Sequence, residues 1–142
     1  MRKKYFLIAG IVILVLGGTA AVWGWYLYNK PHQGVTGVKA KASIDAKTLY
    51  DAFNRNEDSA NRQFLGGVLE ITGLVTGVSK TDSTYSIALS GGDLGGINCG
   101  MAANGGMPVP DKNATVTIKG RCTGYLVDVN MVDCVIEKIE NR

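Results

Sequence analysis

Three hydrophobic patterns follow one another along the chain. Residues 5–28, YFLIAGIVILVLGGTAAVWGWYLY, form an apolar run of 24 residues without a charge. As a helix it would rise about 36 Å, enough to cross a hydrocarbon layer of about 30 Å with some tilt. Residues 31–42 (PHQGVTGVKAKA) lack periodicity and carry Pro and Gly, the composition of a linker. From Ile44 the apolar positions recur at helical spacing, with Leu49, Phe53, Ala60 and Phe64 along one stripe. Asp45 can cap this stretch, Asn54-Arg55-Asn56 is a weak point able to divide it into two short helices, and Gly66-Gly67 ends it.

Beyond Gly67 the period drops to two. Residues 68–78 are apolar and β-branched, with Gly73 and Gly77 permitting bends or bulges. Tyr85, Ile87 and Leu89 alternate with small residues in a second strand, and Ile97, Cys99 and Met101 share a face of a third. Residues 102–112 are rich in Gly and Pro and form no regular element throughout. Ala114, Val116, Ile118, Gly120 and Cys122 line one face of a fourth strand, and Val132, Cys134 and Ile136 one face of a fifth. A first strand that is long and interrupted by Gly can curl to pair on both edges, as closure of a five-stranded barrel requires. The pattern predicts a tail at 1–4, a transmembrane helix at 5–28, a linker at 29–43, a helical extension at 44–66 and a mainly β, five-stranded closed or half-closed barrel at 67–140. Glycine makes up 19 of 142 residues, about 13% against a usual ~7%, as such turns demand.

Charge changes meaning when divided at the linker. The whole chain carries a formal +3, which by itself suggests a polyanion partner. Arg2, Lys3, Lys4 and Lys30 flank the apolar run, however. The remainder sets eleven Lys+Arg against twelve Asp+Glu, a formal charge of −1. Bases before the run hold the N-terminus in the cytoplasm and send the rest across, giving a single-pass inner-membrane protein with a periplasmic domain. Trp23, Trp25, Tyr26 and Tyr28 mark the far interface. A cleaved signal, with Thr19-Ala20-Ala21 as its site, is the competing reading, but the apolar run continues past it through Tyr28.

The residues also carry a family resemblance. Leu49-Tyr50-Asp51-Ala52-Phe53, Asn56-Glu57-Asp58-Ser59-Ala60, Phe64 and Leu69-Glu70-Ile71-Thr72-Gly73-Leu74-Val75 resemble the tRNA anticodon-binding-like OB-fold family. Thr117-Ile118-Lys119-Gly120-Arg121-Cys122-Thr123-Gly124 and Asp133-Cys134-Val135-Ile136 resemble its last two strands. The likeness covers about residues 45–139. It implies an OB barrel with an N-terminal helical extension in an exported bacterial protein, and little biochemistry. The family it resembles includes exported lipoproteins. Here no cysteine precedes Cys99, so a helical anchor is expected instead.

In an OB barrel the fourth and fifth strands are antiparallel neighbours and the third pairs with the fifth. A Cys122–Cys134 disulfide is therefore the first expectation and Cys99–Cys134 the second, with three buried thiols acting as small hydrophobes as the alternative. No metal site is expected, since C-x-x-C spacing is missing and the sole histidine, His32, lies in the linker. That histidine leaves Ser-His and Cys-His catalysis unsupported. Asp45, Asp51, Glu57 and Asp58 suit caps or a solvated helix face. The Gly-rich stretch 91–96 lacks the GK[ST] ending of a phosphate loop, and a hairpin turn is expected. No enzyme activity and no cofactor are predicted.

OB proteins bind ligands on the second and third strands and the nearby loops. The outward set is Thr84, Ser86, Ala88 and Ser90 with Asn98 and Gly100. It contains no Lys, Arg or aromatic residue, which disfavours nucleic acid. Thr84, Ser86, Ser90 and Asn98 are the candidate binding face, for an envelope protein, peptide or glycan. A single-stranded nucleic-acid binder and a structural envelope subunit are the alternatives.

Overall fold

A computed structural model describes residues 2–28, 34–103 and 108–140, apart from the side chains of residues 2, 3, 7, 9 and 11. The chain divides into two compact units, Met1–His32 and Gln33–Arg142. In the first, α1 (Arg2–Tyr28) takes up the apolar run. The Thr19 hydroxyl donates back to the carbonyls of Val15 and Leu16 at 3.0 and 2.9 Å, so that polar group is satisfied within the helix. Among the described residues no helix is long and apolar enough to cross a membrane. The run expected to do so includes Leu7, Ala9 and Ile11, whose side chains lie outside the described residues. The charge-free stretch is continuous in the sequence and interrupted in the described set.

The second unit begins with a strand where a linker and a helix start were expected. β1 (Ala42–Asp45) pairs in parallel with β2 (Val68–Lys80), Ile44 opposite Ile71. Four residues are too few for period-two alternation to declare itself, so pairing rather than pattern makes this strand. Asp45 then caps α2 (Ala46–Arg55), accepting the Lys47 N–H at 2.9 Å. Asn56 breaks the helical stretch as expected. Its side chain accepts the Ser59 N–H at 2.9 Å to start α3 (Glu57–Phe64), whose first turn carries Glu57 and Asp58 toward the positive end of the dipole.

Four further strands follow: β3 (Thr84–Ser90), β4 (Gly96–Ala102), β5 (Thr115–Tyr125) and β6 (Val129–Glu140). The sheet order is β1-β2-β3-β4-β6-β5, and pairing of β5 back onto β2 closes five strands into an OB-like mixed barrel. β4 and β6 run parallel and every other barrel pair antiparallel. Inward residues such as Leu69, Ile71, Ile87, Ile97 and Ile118 fill the core at 0–1% exposure.

α2 plugs one end of the barrel with Ala46, Leu49, Tyr50 and Phe53. Phe53 stacks on Tyr125 with ring centroids 5.7 Å apart, and Tyr50 meets the same ring edge-on at 5.9 Å. The β3–β4 turn admits Tyr50 only because Gly91 and Gly95 have no Cβ: one at either position would stand 2.7 Å from atoms of the Tyr50 ring. At the opposite mouth Val78, Tyr85, Met101, Pro110 and Ile136 border a small apolar cleft.

The phase of β6 differs from the expected one. Val132 is 40% exposed, while Met131 and Cys134 are both buried. Asp133, at φ 54, forms a bulge opposite the register shift between Lys119 and Arg121, and this extra residue turns Val132 outward. Gly120 on β5 makes the room: a Cβ there would collide with Cys134 Sγ and approach Met131 Cε to 3.1 Å. Gly120→Ala is expected to lower the unfolding free energy in urea by about 1–3 kcal/mol. Adding Cys134→Ala should recover part of that loss; equal stability of Gly120→Ala and the native chain would refute the packing account.

Candidate functional site

A band of uncharged polar side chains crosses the outer face of the barrel. Pairing places Ala88 beside Asn98 and Ser86 beside Gly100, and Asn98 in turn beside Asn130. Ser86 Oγ donates to Asn98 Oδ1 across the β3–β4 ladder. Thr123 Oγ1 donates to the Asn130 carbonyl at 3.0 Å, and Asn130 Nδ2 to the Asp128 carbonyl at 3.2 Å. On the other side Thr76 Oγ1 donates to the Ala88 carbonyl at 3.1 Å. The hydroxyls and amides of Thr76, Ser86, Asn98, Asn130 and Thr123 thus run over all five barrel strands.

Part of this band lines a groove of about 360 Å³ bordered by Thr76, Ala88, Ser90, Asn98, Asp128 and the glycines of the β3–β4 turn. Asp128 ties the groove's end together. Its Oδ1 accepts the Gly96 N–H at 2.7 Å, fixing the β5–β6 turn against the β3–β4 turn. Gly91 N–H closes the latter turn on the Gly95 carbonyl at 3.0 Å, over the Tyr50 ring. The expected hairpin turn spans residues 91–95, between β3 and β4, and its glycines serve packing.

Of the four expected face residues, Ser90 and Asn98 line the groove and Ser86 is bonded to Asn98. Thr84 is exposed at the far end of β3, opposite Ala102, and takes no part in it. Thr76, Asp128, Asn130 and Thr123 join the face without having been expected there. Thr76 is brought in by the register shift in β2 between Val75 and Gly77, which strict alternation does not reveal. Lys80 and Tyr85 make a cation–π contact at 5.3 Å, but Tyr85 lines the apolar cleft of the opposite mouth.

Cys99, Cys122 and Cys134 are free, buried thiols. Met131 stands opposite Cys122, Cys134 packs over Gly120, and the thiol that Cys134 meets is Cys99, the second of the two expected partners, with no disulfide between them. The hydrogen bond with Cys99, with burial, pushes the Cys134 thiol far above its ordinary value. Burial raises Cys122 too, against a lowering hydrogen bond at the Gly124 backbone. A hydrogen bond to Tyr125 raises the Tyr50 hydroxyl. Among the carboxylates, Asp45 caps α2 and Asp51 pairs with Lys47 at 3.1 Å. Among the described residues no three His, Cys, Asp or Glu side chains gather to hold a metal ion, and His32 lies outside them.

A protein-family model described as tRNA_anti-like matches residues 1–136. No curated protein matches the chain.

Raised thiols give stability a definite pH dependence. Folding holds Cys122 and Cys134 protonated, while the unfolded chain releases those protons above the ordinary thiol value of 9.0. Their stabilising contribution is complete below that pH and declines above it, by at most about 1.4 kcal/mol per pH unit for each thiol. Urea unfolding from pH 7 upward should show a decline that Cys122→Ala and Cys134→Ala reduce; a flat profile in the native chain would contradict the assignment. Removing the turn clamp with Asp128→Ala should cost about 1–3 kcal/mol in the same assay.

Proposed function

The chain belongs to the tRNA_anti-like family, and we propose that it is a membrane-anchored, non-catalytic binding module. In this reading the barrel holds an uncharged peptide segment of an envelope protein in the groove between Thr76, Asn98 and Asp128. The observation that carries it is the band of neutral donors and acceptors across five strands, fixed by its own hydrogen bonds. Hydroxyls and amides held in place on a rigid sheet lose little freedom when they bind, which favours affinity for a segment of matching polarity.

Anchoring rests on residues 5–28, a charge-free run preceded by Arg2, Lys3 and Lys4, which favours the inner membrane with the barrel on the periplasmic side. The family description invites nucleic acid as a partner. Single strands are held by aromatic platforms and basic grooves, and the groove's described lining has neither. Sugar rings likewise favour aromatic faces, so peptide fits the lining better than glycan.

Peptides selected from a random display library against the full chain in detergent test the reading. Ser90→Trp and Asn98→Trp should weaken the selected peptides at least tenfold, about 1.4 kcal/mol or more. Thr117→Trp, on the opposite wall where Thr117 meets Thr72 at 3.1 Å, should leave binding intact. Unchanged binding by both groove variants, or a preference for single-stranded oligonucleotides in low salt, would count against it.

A further inference from the structure

The end of the barrel that α2 plugs carries four exposed aliphatic side chains. Leu65 follows α3, Leu94 tips the β3–β4 turn, and Leu126 and Val127 tip the β5–β6 turn, at 50%, 76%, 85% and 72% exposure. They form one rim. The two turns are clamped together by Gly96 and Asp128. Leu65 Cδ1 comes within 3.8 Å of where a Cβ of Gly124 would stand, and Gly66 N–H donates to the Cys122 carbonyl at 2.8 Å, tying the end of α3 to the end of β5. Aliphatic tips projecting together from turns have no role in the fold's own core and mark a contact surface.

Two further features identify what it contacts. Bases surround Leu65: Lys41 Nζ donates to the Gln63 carbonyl at 2.7 Å, Arg121 Nη1 to the Gly66 carbonyl at 3.1 Å, and Arg62 is exposed in the last turn of α3. The acids at this end are Asp93, exposed beside Leu94, Asp51 on α2, paired with Lys47 at 3.1 Å, and Asp128, whose Oδ1 is engaged by Gly96. The chain also enters the domain here, with Lys41 N–H donating to the Val68 carbonyl at 2.7 Å as β1 begins. Thirteen residues, 29–41, lie between α1 and β1. They reach no more than about 45 Å even fully extended, so a membrane holding α1 is close at hand.

We propose that this rim docks on the surface of a lipid bilayer. Leu65, Leu94, Leu126 and Val127 enter the boundary between headgroups and acyl chains, and Lys41, Arg62 and Arg121 meet anionic headgroups. This combination of apolar insertion and basic flanks is the physics of interfacial binding. The groove, which starts at the same turns through Gly92, Gly95 and Asp128, then opens beside the membrane. The inference rests on the anchoring reading above, and its test separates the two.

The full chain, reconstituted in vesicles of phosphatidylethanolamine and phosphatidylglycerol, is made with photoreactive benzoylphenylalanine at one position at a time: Leu94, Leu126, Asp82 on the opposite end of the barrel, and Val15 in α1. Unreactive native thiols certify the fold of each variant. Lipid adducts at Leu94, Leu126 and Val15, several-fold above Asp82, are expected. Adducts at Val15 with none at Leu94 or Leu126, or equal yields at Leu126 and Asp82, overturn the docking and leave the anchor standing. No adduct at Val15 removes the anchor and the docking together. In native membranes, a protein adduct at Leu126 in place of lipid would also overturn the proposal.

Discussion

β2 has to hydrogen-bond along both edges, to different partners, at the point where the sheet closes on itself. It pairs with β5 over residues 68–74 and with β3 over residues 75–80, and the register shifts where the strand changes over. Strong local twist and an extra residue are how a strand makes such a turn. Thr76 falls in that shift, and its hydroxyl faces out onto the Ala88 carbonyl, as one wall of the groove. Closure of the barrel and the shape of its polar face are consequences of the same irregularity. β6 shows the principle again, with Asp133 taking a left-handed conformation so that Met131 and Cys134 both turn inward.

The plugged end depends on aromatic packing against missing side chains. Tyr50 and Phe53 reach Tyr125 from α2, and the β3–β4 turn folds over Tyr50 through two glycines. A turn held from below by a ring and from the side by the Asp128 carboxylate has few ways to move. In the proposed function that rigidity would serve the groove, because a surface already in its bound shape loses less entropy when it is occupied. It also holds the aliphatic tips of both turns on one rim, where isolated loops would leave them to collapse inward.

Much of the barrel was legible in the chain. Alternation located β3, β4 and β5, glycines in the first long strand signalled its double pairing, and Asn54-Arg55-Asn56 marked the break that Asn56 makes by capping α3. Three things were not. Ala42–Asp45 is too short to show a period and becomes β1 only against the edge of β2. Val132 sits at an apolar phase that the bulge at Asp133 reverses, and the thiol that Cys134 meets is Cys99, on β4. Thr84 shares the outward phase of Ser86 and Ser90 yet lies a strand's length from the groove.

The sequence by itself determined what depends on neighbours along the chain: the apolar run, the caps, the strand alternation, and the split between a basic N-terminal flank and a domain of formal charge −1. These follow from periodicity and local hydrogen bonding, which a linear pattern records. Tertiary structure alone decided which polar residues meet, which cysteines face each other, and which turns share an end. Each of those depends on register, and one inserted residue in β2 or β6 changes register without altering the composition that announces the strand.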